Sequence, residues 1–210
     1  QMAGQVFPQF SRNVHVRELD VGWEHLKKRI GGIDFGGVSP TALIAMGLDA
    51  GDRAWAYGEW YKREATLDET MQAMARFQVD LGVDRWVADP AGKKEIETLR
   101  KAGFKVSPAR HGNRLALRVQ IMGARLNVHL AAKLPGMYVS PGCPFLIMEI
   151  ETLAWKRVSL QGRTEEMMAD EFERGAPDHA VDSATNVLAE YDSTSAPWKR
   201  PKPQKIYATA

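Results

Sequence analysis

The stretch Gly31-Gly32-Ile33-Asp34-Phe35-Gly36-Gly37 constrains this chain more than any other, because it sets one carboxylate on a short apolar run between two pairs of glycines. It reads as a strand. Side chains alternate across a pleat, so Ile33 and Phe35 point to one face and Asp34 to the other. Such a strand buries its apolar side while offering the acid to a cleft, and the glycines let another backbone, a metal or a phosphate come close. Thr41 to Leu48 reads as a second strand, Asp49-Ala50-Gly51-Asp52 as a turn, and Arg53 to Trp60 as a third strand of an antiparallel meander.

The pattern then changes period. Thr66 with Glu69 three residues on is a capping box, and Leu67, Met71, Met74, Phe77 and Leu81 follow at helical spacing until Gly82. Val83 to Ala88 reads as a fourth strand that delivers Asp89 at its carboxyl end. A helix beyond Gly92 buries Ile96 and Leu99 and stops at Gly103 in a left-handed conformation, and Phe104 to Pro108 reads as a fifth strand. The expected fold class is therefore α/β: a mixed sheet in which a three-stranded antiparallel meander is extended by parallel strands and flanked by helices.

Further along, Arg114 to about His129 reads as a helix with Leu115, Val119, Met122 and Leu126 on one stripe and Arg114, Arg118 and Arg125 on the adjoining one. Met137 to Ser140 reads as a short strand, Pro144 to Leu153 as a helix, and Ala154 to Arg163 as a hairpin or flap carrying Lys156 and Arg157. A last helix begins at Asp178, after Pro177, and buries Val181, Ala184, Leu188 and Tyr191. The expected division is a lead-in over residues 1–30, one domain over 31–192, and an extended basic tail over 193–210 with Lys199, Arg200, Lys202, Lys205 and three prolines.

Composition removes several function classes. At 210 residues the chain can bury a full core. No apolar run approaches the roughly 18 residues that span a bilayer, and the start lacks the order of a signal peptide, so a cytoplasmic protein is expected. Cys143 is the single cysteine, which excludes an internal disulfide and a cysteine metal cluster, and it reads as a small core residue. A net charge of +2 does not announce nucleic-acid binding, so any such face must come from local clustering. No Cys–His or Ser–His–Asp grouping stands out. His111 and His129 read as structural, and His179 as packing beside the acids of the last helix.

Three acids sit at element ends: Asp34 on the first strand, Asp89 closing a later strand, and Asp182 in the first turn of the last helix. Magnesium and manganese prefer hard oxygen ligands, and converging carboxylates leave positions open for water and a phosphate. Two such ions activate a water and stabilise the leaving oxygen of a phosphodiester. The separations, 89 − 34 = 55 and 182 − 89 = 93 residues, require the fold to bring the three together. Asp178 lies four residues before Asp182 and so shares its helix face, although an aspartate after proline is also an ordinary N-cap. Arg114, Arg118, Arg125, Lys156 and Arg157 are the candidate phosphate contacts, with solvated surface charge as the alternative.

The segments Val6-Phe7-Pro8-Gln9-Phe10-Ser11-Arg12-Asn13-Val14-His15, Gly32-Ile33-Asp34-Phe35-Gly36, Ala88-Asp89-Pro90-Ala91 and Asp178-His179-Ala180-Val181-Asp182-Ser183-Ala184, taken in this order, resemble successive signatures of the C-terminal nuclease domain of tailed-bacteriophage large terminases. The resemblance runs from about residue 5 to 191. It implies a ribonuclease H-like fold and a metal-dependent endonuclease, using two Mg2+ or Mn2+ ions, that cuts double-stranded concatemeric viral DNA during genome packaging in the cytoplasm of the infected bacterial host. Asp34, Asp89 and Asp182 match the family's three acidic metal ligands, and Asp178 matches a nearby acid. The implied partners are double-stranded DNA, the terminase ATPase domain, the portal protein and the small terminase subunit, with the isolated domain a monomer.

Large terminases also carry a packaging ATPase, and no G-x-x-x-x-G-K-[ST] loop occurs in this sequence; Gly92-Lys93-Lys94 lacks both the earlier glycine and the Ser/Thr. The chain therefore reads as the nuclease half alone. Two other readings share parts of the pattern. Actin- and sugar-kinase-like ATPases also open on a glycine-flanked acid and a meander, but need a second comparable domain. A non-catalytic module that grips DNA or docks a partner would keep the fold without needing all three acids.

Overall fold

The strand β2 (Pro40–Leu48) is buried along its whole length, and the sheet is built outward from it. In the computed structural model, which describes residues 4–20, 22–110, 115–129, 133–159 and 166–192, β2 pairs antiparallel with β1 (Lys27–Asp34) on one side and β3 (Ala54–Arg63) on the other. This is the expected meander. The first strand starts at Lys27 and ends at Asp34, earlier on both sides than the glycine pairs suggest, and a bulge between Lys27 and Ile30 shifts its register.

Parallel strands extend both edges. β4 (Arg85–Ala88) runs beside β1 and β5 (Val106–Pro108) beside β4, while β8 (Met137–Val139) joins the far side of β3, giving the order β5-β4-β1-β2-β3-β8. Two short strands, β6 (Val128–His129) and β7 (Leu134–Pro135), pair with each other just before β8. The fold is the ribonuclease H-like mixed sheet that the pattern implies.

Alternation along β2 sorts the two layers. Ala42, Ile44, Met46 and Leu48 face a core shared with the helices α4 (Leu115–Leu126), α5 (Pro144–Thr152) and α6 (His179–Asp192), whereas Leu43 and Ala45 face a second core covered by α2 (Leu67–Asp80) and α3 (Lys93–Lys101). Burying both faces of a central strand is what a continuous apolar run is suited to. Ile33, fully buried, and Phe35 both join the second core, as the alternation predicts.

The local signals work as read. Thr66 Oγ1 accepts from Glu69 N–H while Glu69 Oε2 accepts from Thr66 N–H, closing the capping box of α2. Gly82 and Gly103, past the ends of α2 and α3, take φ of +61° and +94°, which side-chain-bearing residues avoid.

Two segments differ from the sequence reading. The lead-in is part of the core: Val6, Phe7 and Phe10 are buried in the first cluster, and after the single helical turn α1 (Arg12–His15) the buried His15 bonds the Leu126 carbonyl at the end of α4 through Nε2 at 2.8 Å. That carbonyl is the physical reason α4 ends at Leu126 rather than near His129. The flap is a hairpin of β9 (Trp155–Ser159) and β10 (Glu166–Phe172), so its second arm lies beyond the predicted Arg163. Its connecting residues, like Arg114, His111 and the 193–210 tail, lie outside the described residues, as do the side chains of His129 and Arg157. No described helix is long and apolar enough to cross a membrane.

Candidate active site

Register brings the first two acids together. β1 and β4 are parallel with Ile33 beside Ala88, so Asp34 and Asp89, one residue further on in each, stand side by side at the carboxyl ends of adjacent strands. The Asp89 carboxylate also accepts the Ala91 N–H at 2.8 Å, which tightens the turn into α3.

The third acid arrives on α6, which runs back across β1. Close approach is possible because Gly32 has no side chain: a Cβ there would lie 2.0 Å from the Ser183 carbonyl oxygen. Of the partners that the glycine pair could admit, the one it admits is a helix backbone. The first turn of α6 is thereby pressed onto the end of β1, and His179 Nδ1–H donates to Asp34 Oδ2 at 2.8 Å. Asp178 and Asp182 follow on the same side, their backbones joined by the Asp182 N–H to Asp178 carbonyl bond.

Each carboxylate in this cluster is balanced by a neighbour. Arg118 of α4 forms an ion pair with Asp182, the two side chains only 12% and 16% exposed. Burial still drives the Asp182 carboxyl up to about 7, with Arg118 pulling against it. Asp178 is likewise raised by burial and by Asp34, with His179 and Arg118 opposing. The bond to Asp34 holds the His179 imidazolium above its usual range. Arg118 Nε is buried without a hydrogen-bond partner among the described residues, a state that native proteins avoid unless something else meets the donor.

Sequence reasoning missed Glu149. It lies fully buried on α5, accepts the Val181 N–H at 2.9 Å and the Tyr61 hydroxyl at 2.9 Å, and burial raises it to about 7. Its carboxyl thus caps the first turn of α6, where N–H groups have no partner within the helix. A lone acid inside the apolar run Phe145-Leu146-Ile147-Met148-Glu149-Ile150 was the available signal.

The predicted phosphate contacts divide. Arg118 faces inward to Asp182 rather than outward. Arg125 pairs with Asp192 and donates to the Asp52 carbonyl, and Lys156 pairs with Glu171 at 2.8 Å. Among the described residues no three His, Cys, Asp or Glu side chains are already gathered tightly enough to hold an ion, since Asp182 is turned to Arg118, Asp34 to His179 and Asp89 to Ala91. The donor set itself, hard carboxylate oxygens at one end of a sheet, is the kind that magnesium or manganese takes.

No protein-family model and no curated protein matches the sequence. Solved structures do. A complete large terminase from a thermophilic bacteriophage superposes with a TM-score of 0.68 over 91% of this chain at 18% identity. The nuclease domain of g2p, the large terminase of bacteriophage SPP1, solved with bound Mn, gives 0.60 over 85% at 18% identity. The fold is that of large-terminase nuclease domains. A third such structure, the large terminase nuclease of thermophilic phage G20c, was solved with cobalt (TM-score 0.65 over 90%, 15% identity) and with magnesium. This chain spans 44% of the first of these terminases, 96% of the SPP1 nuclease domain and 99% of the G20c nuclease. It corresponds in extent to the nuclease part.

Proposed function

We propose that this chain is a divalent-metal-dependent DNA endonuclease that cuts double-stranded, concatemeric viral DNA during genome packaging. The observation that carries the reading is the meeting of Asp34, Asp89, Asp178 and Asp182 at one end of a sheet whose fold-mates hold Mn, Co or Mg. Asp34, Asp89 and Asp182 would hold Mg2+ or Mn2+, with Asp178 beside them. Two bound ions would supply an activated water and charge neutralisation at the leaving oxygen.

The chain's own residues prepare that centre. Glu149 fixes the first turn of α6, and so fixes where Asp182 stands. His179 sets the rotamer of Asp34 by a direct bond. Arg118 neutralises Asp182 meanwhile, and its unmet Nε–H is placed to take a phosphate oxygen by a charge-assisted bond once the carboxylate is otherwise engaged. In a full terminase the same domain would work with the ATPase domain, portal protein and small subunit in the cytoplasm of the infected host.

Plasmid digestion tests the reading. Supercoiled DNA should be nicked and linearised with magnesium or manganese, not with EDTA, and Asp34→Asn or Asp89→Asn should abolish cutting while melting stays cooperative. Full activity in Asp34→Asn would sink the assignment, and a wild-type protein that binds DNA without cutting it would favour the non-catalytic module.

A further inference from the structure

The free edge of the sheet, remote from the carboxylates, forms an open groove of about 510 Å3 lined by Arg85, Arg100, Lys105 and Arg110, with Glu190 as its one acid. Glu190 is almost wholly buried and pairs with both Arg85 (3.3 Å) and Arg110 (3.2 Å), so it organises two guanidiniums without cancelling the groove's positive charge. Arg100 spends one N–H on the Val106 carbonyl at 2.8 Å and has no carboxylate partner among the described residues. Lys105 is exposed and likewise has none.

The edge strand itself is closed to another strand. Of the outward-facing backbone groups of β5, the Val106 carbonyl is already taken by Arg100, and Pro108 has no N–H to give. An extended acidic peptide therefore cannot add to the sheet here, whereas a phosphate backbone needs only the cations.

The groove is also connected to the carboxylate site. α3 begins three residues after Asp89, runs the roughly 14 Å of a nine-residue helix, and ends at the groove. Its exposed side carries Lys93 and Lys94 near the acids and Arg100 at the far end. At one phosphate per about 3.4 Å along each strand, that length corresponds to about four phosphates.

We propose that this groove and the outer side of α3 form a docking track for the backbone of double-stranded DNA, holding the duplex to one side of the cut. The proposal rests on the nuclease reading and deepens it by fixing which side of the domain the DNA leaves from. Contacts of this kind position the duplex without reading bases.

Binding of a fluorescein-labelled duplex of arbitrary sequence in EDTA, across a salt series, tests it apart from catalysis. Lys94→Gln with Lys105→Gln should weaken binding at least tenfold at low salt and lower the log–log salt slope by about 1.8, the share of two phosphate contacts. Arg17→Gln, on the opposite layer, should leave the slope unchanged. Arg100→Lys should keep the slope if Arg100 serves by charge. An unchanged slope in the double variant would overturn the track, and if wild type still cut plasmid the nuclease reading would survive it. Binding of polyglutamate with no binding of duplex would also overturn it. Groove-dependent duplex binding by a protein that fails to cut would uphold the track and defeat the nuclease reading.

Discussion

Arg118 lies against Asp182 with both side chains withdrawn from solvent, an arginine charge occupying the position that a cation would take on that carboxylate. Arg118 and a divalent ion are therefore competitors for one acid. Arg118→Gln should lower the melting temperature of the metal-free protein, because removing one partner of a buried pair costs about 3–5 kcal/mol. The same variant should show a larger manganese-induced rise in melting temperature than wild type, since ions bind the native state only. Thermal melts with and without manganese check both signs. Equal rises would mean that ions bind elsewhere.

Glu149 gives the domain a pH dependence whose sign follows from its burial. Its folded pKa, about 7, lies above the roughly 4.3 of an unfolded glutamate. A raised carboxyl stabilises fully below the unfolded value, and that contribution is lost as pH climbs through the folded one, by at most roughly 3 kcal/mol. Wild type should therefore lose stability between about pH 4 and pH 7 from this group, and Glu149→Gln should flatten that limb in urea melts at pH 5 and pH 8. An identical pH profile in the variant would remove Glu149 as the source.

Gly32 is where packing and chemistry meet. Adding a Cβ against the Ser183 carbonyl cannot be relieved by turning a side chain, so Gly32→Ala should cost about 3 kcal/mol or more and displace the first turn of α6. Ser183 offers a contrast, because its buried hydroxyl has no partner among the described residues. Ser183→Ala should be neutral or mildly stabilising. Urea denaturation of the two variants checks the pair, and comparable losses would show that the contact is not limited by backbone.

The ATPase reading makes an opposite prediction. With no phosphate-cradling loop in the sequence, the isolated chain should release no phosphate from ATP, with or without DNA. DNA-stimulated turnover in a phosphate-release assay would revive the actin-like alternative.

Much of the frame was legible because its signals are local. The glycine-flanked run announced β1 and Asp34, the Thr66–Glu69 box announced α2, and the strand ending at Ala88 announced Asp89. What was not legible depends on contacts between distant elements. Periodicity puts Arg118 on a stripe beside the apolar face of α4, but only the docking of α6 decides that the stripe looks inward to Asp182 rather than outward to solvent. Glu149 was hidden for the same reason: inside an apolar helix its carboxyl has meaning only through the α6 N–H groups that it meets. The second arm of the hairpin lacks the alternation that a half-exposed strand would carry, and so left no mark.

The close crossing of α6 over β1 also fixes an order of events during synthesis. Asp34 and Asp182 are 182 − 34 = 148 residues apart, so a chain still emerging from the ribosome holds the first strand and the Asp89 turn long before the last helix exists. Until α6 has left the exit tunnel and settled over Gly32, the set of carboxylates is incomplete, and contacts of such long sequence separation form late in folding. A half-made chain cannot be a nuclease. A cell translating this message is shielded from the product until nearly all of the domain has been made.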